Sequence, residues 1–317
     1  MNRSSSFFAF AICMSVLVLP FTAEPAQAQD SVAQKELLLW QKLDANIQTE
    51  SRNLDGVLGI AILDLTTQHT LLLNADEVFP TASTIKIAIL AELYRQAQQG
   101  KLQLSDIYTL QQSDLVAGSG IANALTPGVT KLTLRDVAAL MISVSDNSAT
   151  NILIDRVGLD NVNALLDSLH LTHTRLRRKM MDIKAAAEGR ENVATPHELA
   201  QFLEALYRGK VLNKQFTDDY FNLLSIHKES YIPRELPEDI RIANKPGELE
   251  GVRNDCGLVF NPSRPYVICA MSTYVRRERE AGDVIARISG EAWRFFERLA
   301  RSSPYGRVVS PHDSSNP

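Results

Sequence analysis

The stretch Pro80-Thr81-Ala82-Ser83-Thr84-Ile85-Lys86-Ile87-Ala88-Ile89-Leu90 decides how this chain is read. Across residues 83–99 the apolar side chains Ile85, Ile87, Ala88, Ile89, Leu90 and Leu93 fall on most faces of a helix, and Gly100 is a natural stop. Such a helix belongs in an interior. At its start Ser83 and Lys86 stand three apart, on one face and one turn from each other, where an amine can take a hydroxyl's proton. Free N–H groups of a first helical turn also favour negative charge developing beside that serine. A second pair of the same spacing, Ser225 and Lys228, has no apolar helix behind it.

Upstream, residues 31–52 carry helical apolar spacing (Leu37, Leu38, Trp40, Leu43, Ile47) and read as a covering helix. The β-rich runs 57–65 and 70–73, separated by Thr66-Thr67-Gln68-His69, read as a hairpin. Downstream, Thr133 with Asp136 forms a capping pair before 137–142, and 148–157 resumes helical spacing until Gly158. Helical patterns continue over 161–169 and, behind the cap Thr195 with Glu198, over 196–207. Strand character returns at 240–244, 256–260 and 266–271, the last two joined by Asn261-Pro262-Ser263-Arg264, before a helix over 282–300. Strands from both ends of the chain around a helical middle predict an α/β plus all-α fold. Its expected form is an antiparallel sheet flanked by helices, with an inserted helical lobe and a cleft between the lobes. The α/β lobe is expected in about 29–82 and 236–301, and the helical lobe in about 83–235.

The 45% apolar and 22% charged content excludes disorder as the main state. With 33 basic and 37 acidic side chains the net charge is −4 and no like-charged block is long enough to track phosphates, so nucleic acid is not an expected partner. Residues 1–28 read as a cleavable secretory leader: Arg3, an apolar run over 7–21, then Ala26-Gln27-Ala28 before Gln29. The run is too short to span a bilayer, which needs about 20 apolar residues. Export to the periplasm is the expectation. Cys13 leaves with the leader, and Ile12 before it is not the small residue of a lipid-anchoring site. Cys256 and Cys269 remain, set opposite each other if the hairpin is symmetric, either as a disulfide or as two buried thiols. Residues 302–317, rich in Ser and Pro, read as a disordered tail.

Company distinguishes the Ser83–Lys86 pair. Sixty-two residues after Ser83 comes Ser145-Asp146-Asn147 at a break between helices, and one hundred residues later Lys245-Pro246-Gly247 follows strand-like sequence. In this order the three segments resemble the motif set of class A serine β-lactamases and their penicillin-recognising relatives. The resemblance runs over about 56–300, including Thr174-Arg175-Leu176 and Ala194-Thr195-Pro196 at the two ends of a loop. It implies Ser83 as the acylated nucleophile, Lys86 as its proton relay, and Ser145 as the donor to the leaving nitrogen. It further implies Asn147 on the substrate's side-chain amide, Lys245 on its carboxylate, and the N–H groups of Ser83 and Glu248, beside Gly247, as an oxyanion hole. No metal or cofactor is implied, and a monomer is expected.

Two positions depart from the family pattern. Where the family carries the glutamate that activates the hydrolytic water, counting from Leu176 reaches Met180, and a thioether takes no proton from water. Asp182, Glu188 and Glu191 are the nearby carboxylates. Pro246 replaces a Thr or Ser, removing a hydroxyl and a backbone donor beside the site. Arg175, Arg177, Arg178 and Lys179 form a basic cluster that reads either as an attractor of anionic cell-wall fragments or, the preferred reading, as a solvated loop in which Arg178 pairs with a carboxylate such as Glu191; Asn192 stands where the family has its loop-closing Asp. His170 and His173 have no third ligand nearby and read as surface residues. The resemblance thus implies an exported serine hydrolase acylated by β-lactams or related amides and esters. The alternatives are a cell-envelope D,D-peptidase or esterase, and a non-hydrolytic sensor of β-lactams or muropeptides.

Overall fold

A computed structural model describes Met1 and residues 26–303 and 305–308. The expected leader, save Met1 and its last three residues, and most of the expected tail lie outside the described residues. Helix α1 (Ala26–Asn53) leads into the hairpin β1 (Val57–Asp64) and β2 (Thr70–Leu73). The two-residue strand β3 (Phe79–Pro80) runs into a 3₁₀ turn, Ala82–Ile85, and then α2 (Lys86–Gln98). A short ladder of β4 (Ile107–Thr109) and β5 (Lys131–Thr133) precedes α3 (Leu134–Ser143), α4 (Asn147–Val157), α5 (Leu159–Ser168) and α6 (Ile183–Ala187). Strand β6 (Val193–Ala194) pairs back with β3, closing the segment between them, and is followed by α7 (Pro196–Tyr207) and α8 (Lys214–Leu224). The chain ends in β7 (Ile242–Leu249), β8 (Val252–Val259), β9 (Tyr266–Thr273) and α9 (Glu278–Ala300).

The main sheet is antiparallel in the order β2-β1-β9-β8-β7, so the two ends of the chain meet at the β1–β9 ladder. Alternation along β1 sends Ile60 and Ile62 to one face and Ala61 and Leu63 to the other. The first face packs under α1 and α9, where Trp40, Tyr266, Phe295 and Phe296 form an aromatic cluster with Tyr266 stacked on Phe296 at 4.1 Å. The second face meets α7 through Leu199, Phe202 and Leu203 and is continuous with the core around α2. As its all-round apolar sequence requires, α2 is buried among α4, α5 and α8.

Most sequence-predicted elements stand within a few residues of expectation, including the Thr133 capping box and the Thr195 cap. Three differ. Strand β7 reaches Leu249, so Lys245-Pro246-Gly247 lies on the strand and not after it. Proline is tolerated there because β7 is an edge strand. Helix α8 went unforeseen: its first turns are polar, and only Tyr220, Phe221, Leu223 and Leu224 behind the Asn213 cap form its buried side. Ser225 caps the end of that helix and donates to the Phe221 carbonyl at 2.7 Å, a structural use for the second serine–lysine pair's hydroxyl. Cys256 and Cys269 face each other across β8 and β9, both as buried free thiols.

Candidate active site

Ser83 sits in the 3₁₀ turn that opens α2, preceded by Ala82 in a left-handed conformation at φ 48°. A non-glycine residue there stores strain of the kind that accumulates at functional sites. The helical register carries Lys86 inward, where it is fully buried. Ser145 is also left-handed, at φ 54°, between α3 and α4. It is held by Asp146, whose Oδ1 accepts the Ala149 N–H at 2.9 Å while Oδ2 accepts those of Ile121 and Ala122 at 2.7 and 2.8 Å. One buried carboxylate therefore caps α4 and anchors the loop across the cleft.

Strand β7 brings the third segment. Gly247 packs flat on the serine turn: a Cβ there would fall 2.6 Å from the Thr81 carbonyl oxygen and 3.0 Å from the Ser83 nitrogen. Only glycine lets the strand come this close. On β8, Arg253 turns both peptide groups to β9: its N–H donates to Ser272 Oγ at 3.2 Å and its carbonyl accepts from that hydroxyl at 2.6 Å. Its β7 partner Glu248 is therefore in a non-bonded pair, with its N–H directed out of the sheet. Pro246, two residues earlier, has the same orientation, so it breaks no ladder bond. What it removes is a donor and a hydroxyl on the site side.

These segments converge on a cleft of about 780 Å³ lined by Ser83, Ser145, Asn147, Met180, Lys245 and Glu248, among others. Ser145 Oγ donates to Ser83 Oγ at 2.8 Å. Lys86 Nζ donates to Ser145 Oγ at 3.0 Å, to the Ser145 carbonyl at 2.8 Å and to Asn147 Oδ1 at 3.3 Å. Lys245 Nζ reaches Ser145 Oγ from the other side at 3.1 Å. Spacing alone pointed to a direct Ser83–Lys86 contact; in the fold Lys86 reaches Ser83 through the Ser145 hydroxyl. Burial, and secondarily the charge of Lys245, holds the Lys86 ammonium well below the usual lysine range, against an opposing pull from Asp146. Burial and the charge of Lys228 bring Lys245 down to about 7. Lys245 can therefore hold or release a proton near neutral pH, and Lys86 gives up its proton more readily than an exposed lysine does.

The loop between Thr174 and Thr195 presents Met180 to the cleft, 8% exposed, its peptide clamped by Asn151: Met180 N–H to Oδ1 at 2.8 Å and Nδ2 to the Met180 carbonyl at 3.1 Å. None of the nearby carboxylates takes its place. Asp182 caps α6 by accepting the Ala185 N–H, Glu188 pairs with Arg190, and Glu191 pairs with Arg178 at 2.7 Å; none lines the cleft. The expected Arg178–Glu191 pair is thus present. Asn192 staples the same loop differently, accepting the N–H groups of Arg177 and Arg178 at 2.7 and 3.0 Å. His173 is exposed and spends Nδ1 on Glu198 at 2.9 Å.

Sequence reading missed a part of the cleft wall formed by Lys228, Glu229, Tyr231 and Arg234. Fully buried Asp255 fastens it, accepting the N–H groups of Tyr231 and Ile232, each at 2.9 Å, and the Asn244 side chain at 2.8 Å. Tyr231 donates its hydroxyl to Glu248. No local pattern marks these residues except the Ser225–Lys228 spacing, whose lysine, unlike its serine, reaches the cleft.

Residues 40–296 match the Beta-lactamase enzyme family. Over 279 residues the chain is 26% identical to β-lactamase SME-1 of Serratia marcescens, covering 86% of this chain and 90% of that one. The structure resembles a β-lactamase from Sphaerobacter thermophilus, with TM-score 0.76 and 32% identity over 81% of this chain and 98% of that one. It also resembles a leucine-to-glutamate mutant of PBP-A solved as an acyl-enzyme complex with penicillin G, with TM-score 0.73 and 25% identity over 89% of this chain and all of that one. A matching family over most of the length, a shared fold and the convergence of three motif segments on one cleft agree: the chain belongs to the β-lactamase enzyme family and has its class A fold.

Proposed function

We propose that this protein is an exported serine hydrolase that is acylated on Ser83 by β-lactams or by related amides and esters of the cell envelope, and that it releases the acyl group slowly. The observation that carries this is the bridging of Ser83, Lys86 and Lys245 by the single hydroxyl of Ser145. With Lys86 as a neutral amine, the Ser83 proton passes to it through Ser145 as Oγ attacks the carbonyl carbon. The amide C–N bond then breaks, and Ser145 returns a proton to the leaving nitrogen. The N–H groups of Ser83 and Glu248 hold the developing oxyanion, each donor worth about 2.7–4 kcal/mol in comparable acyl transfer. Asn147 binds the side-chain amide and Lys245 the carboxylate. Release needs a base for water, and Met180 supplies none. An envelope peptidase or esterase is the second reading, favoured by that same methionine, since a natural acyl group can clear where a β-lactam-derived one stalls.

Incubation with a fluorescent penicillin followed by intact mass spectrometry tests the proposal. One adduct per chain is expected, absent in Ser83→Ala. No adduct in the unaltered protein, or one that survives S83A, refutes it. Tight binding equal in both proteins would instead indicate a non-covalent sensor.

A further inference from the structure

Lys228 is one of the described buried side chains in the cleft that the acylation chemistry leaves unused. It is 9% exposed and lines the cleft together with Ser83, Ser145 and Lys245. Its Nζ donates to one protein acceptor, the Leu224 carbonyl at the end of α8, at 2.8 Å. An ammonium carries three donors, so two remain unspent. No carboxylate forms an ion pair with it among the described residues. Asp255, whose charge it feels, lies beyond salt-bridge range and is already committed to the N–H groups of Tyr231 and Ile232 and to Asn244. Glu248 is engaged by Tyr231. A buried cation without a counter-ion is costly, and two of them act on each other here, since the Lys228 charge depresses Lys245. An anion entering the cleft relieves both. Pro246, meanwhile, has removed the hydroxyl and the backbone donor with which β7 could hold such an anion.

We propose that Lys228 joins Lys245 in recognising the carboxylate of the substrate, supplying from the wall formed by residues 228–234 the contact that Pro246 deletes from β7. The role rests on the acylation of Ser83 proposed above and adds one residue of this chain to the recognition of acyl donors that bear an anionic group on the leaving side of the scissile amide. Lys228 is a specificity residue. It takes no part in proton transfer, and its neighbour Lys245 keeps the contact to Ser145.

The test compares acylation of the full-length protein by benzylpenicillin and by its methyl ester, in which the carboxylate charge is absent, with the adduct followed by intact mass. Lys228→Met keeps the packing and removes the charge. The acid-over-ester preference should fall by roughly 10- to 100-fold, the range of a hydrogen bond to a charged group. Lys228→Arg should restore most of that preference. Should methionine unfold the wall, as judged by thermal melting, K228Q, uncharged and one atom shorter but still able to donate a hydrogen bond to the Leu224 carbonyl, is read in the same way. An unchanged preference in K228M, or equal losses on acid and ester, overturns the role of Lys228 while leaving acylation intact. Absence of any Ser83 adduct in the unaltered protein overturns acylation and this role together.

Discussion

Replacing Met180 with glutamate should shorten the life of the acyl-enzyme. Asn151 fixes the Met180 peptide from both sides, so the new side chain starts from the position in which the thioether now lines the cleft. General-base assistance is typically worth about 10²–10⁴-fold, which at 1.36 kcal/mol per decade lowers the deacylation barrier by about 2.7–5.4 kcal/mol. The lower end applies here. A carboxylate at a position 8% exposed is desolvated, which raises its pKa toward the neutral range suited to a base, but no neighbouring side chain has been selected to orient it. The same desolvation should cost about 1–3 kcal/mol of stability. The assay labels the enzyme with one equivalent of penicillin, removes excess reagent and follows loss of the adduct by intact mass. A half-life shortened about 100-fold in M180E, with acylation unchanged within a few-fold, is the expected outcome. An unchanged half-life in a folded, acylated M180E protein would mean that another group already activates water, and the assignment of slow release to Met180 would be wrong.

Charge at Lys245 should be lost as pH rises through about 7 and at Lys228 through about 8, so acylation by an anionic penicillin should weaken from pH 7 to 9 more than acylation by the methyl ester. For stability the sign is opposite: both lysines have folded pKa values below the unfolded value near 10.5, the unfolded chain binds more protons between them, and stability rises with pH across that window. Thermal melts from pH 7 to 9.5 should show this rise, and K228M should flatten it. Arg178→Ala leaves Glu191 without its partner and frees one end of the Met180 loop; a loss of about 1–3 kcal/mol in denaturant melts is expected, and none would mean that Asn192 alone closes the loop. In protein prepared without residues 1–28, thiol titration should find Cys256 and Cys269 unreactive in the native state and both reactive in denaturant; reaction only after added reductant would reveal a disulfide.

Local sequence determined a good deal of this protein. The all-round apolar helix after Ser83, the caps at Thr133 and Thr195 and the alternation in β1 are short-range patterns set by helical and strand periodicity, and they sufficed for the fold class; the three motif segments pointed to most of the cleft through their resemblance to the β-lactamase family. Even Met180 was found by counting along one loop. Tertiary structure decided what depends on groups far apart in the chain. That Lys86 reaches Ser83 through Ser145 follows from how α2 packs on the α3–α4 break, 59 residues away. That Pro246 spares the ladder follows from which way Arg253 turns its peptide groups. Lys228 joined the site only because buried Asp255 on β8 ties down the segment after α8, and the depressed pKa values arise only when folding excludes water from three lysines at once. Periodicity is a property of neighbours along the chain and survives in the sequence; desolvation, ion proximity and the direction of an edge strand's donors are properties of packing and exist only in the folded molecule.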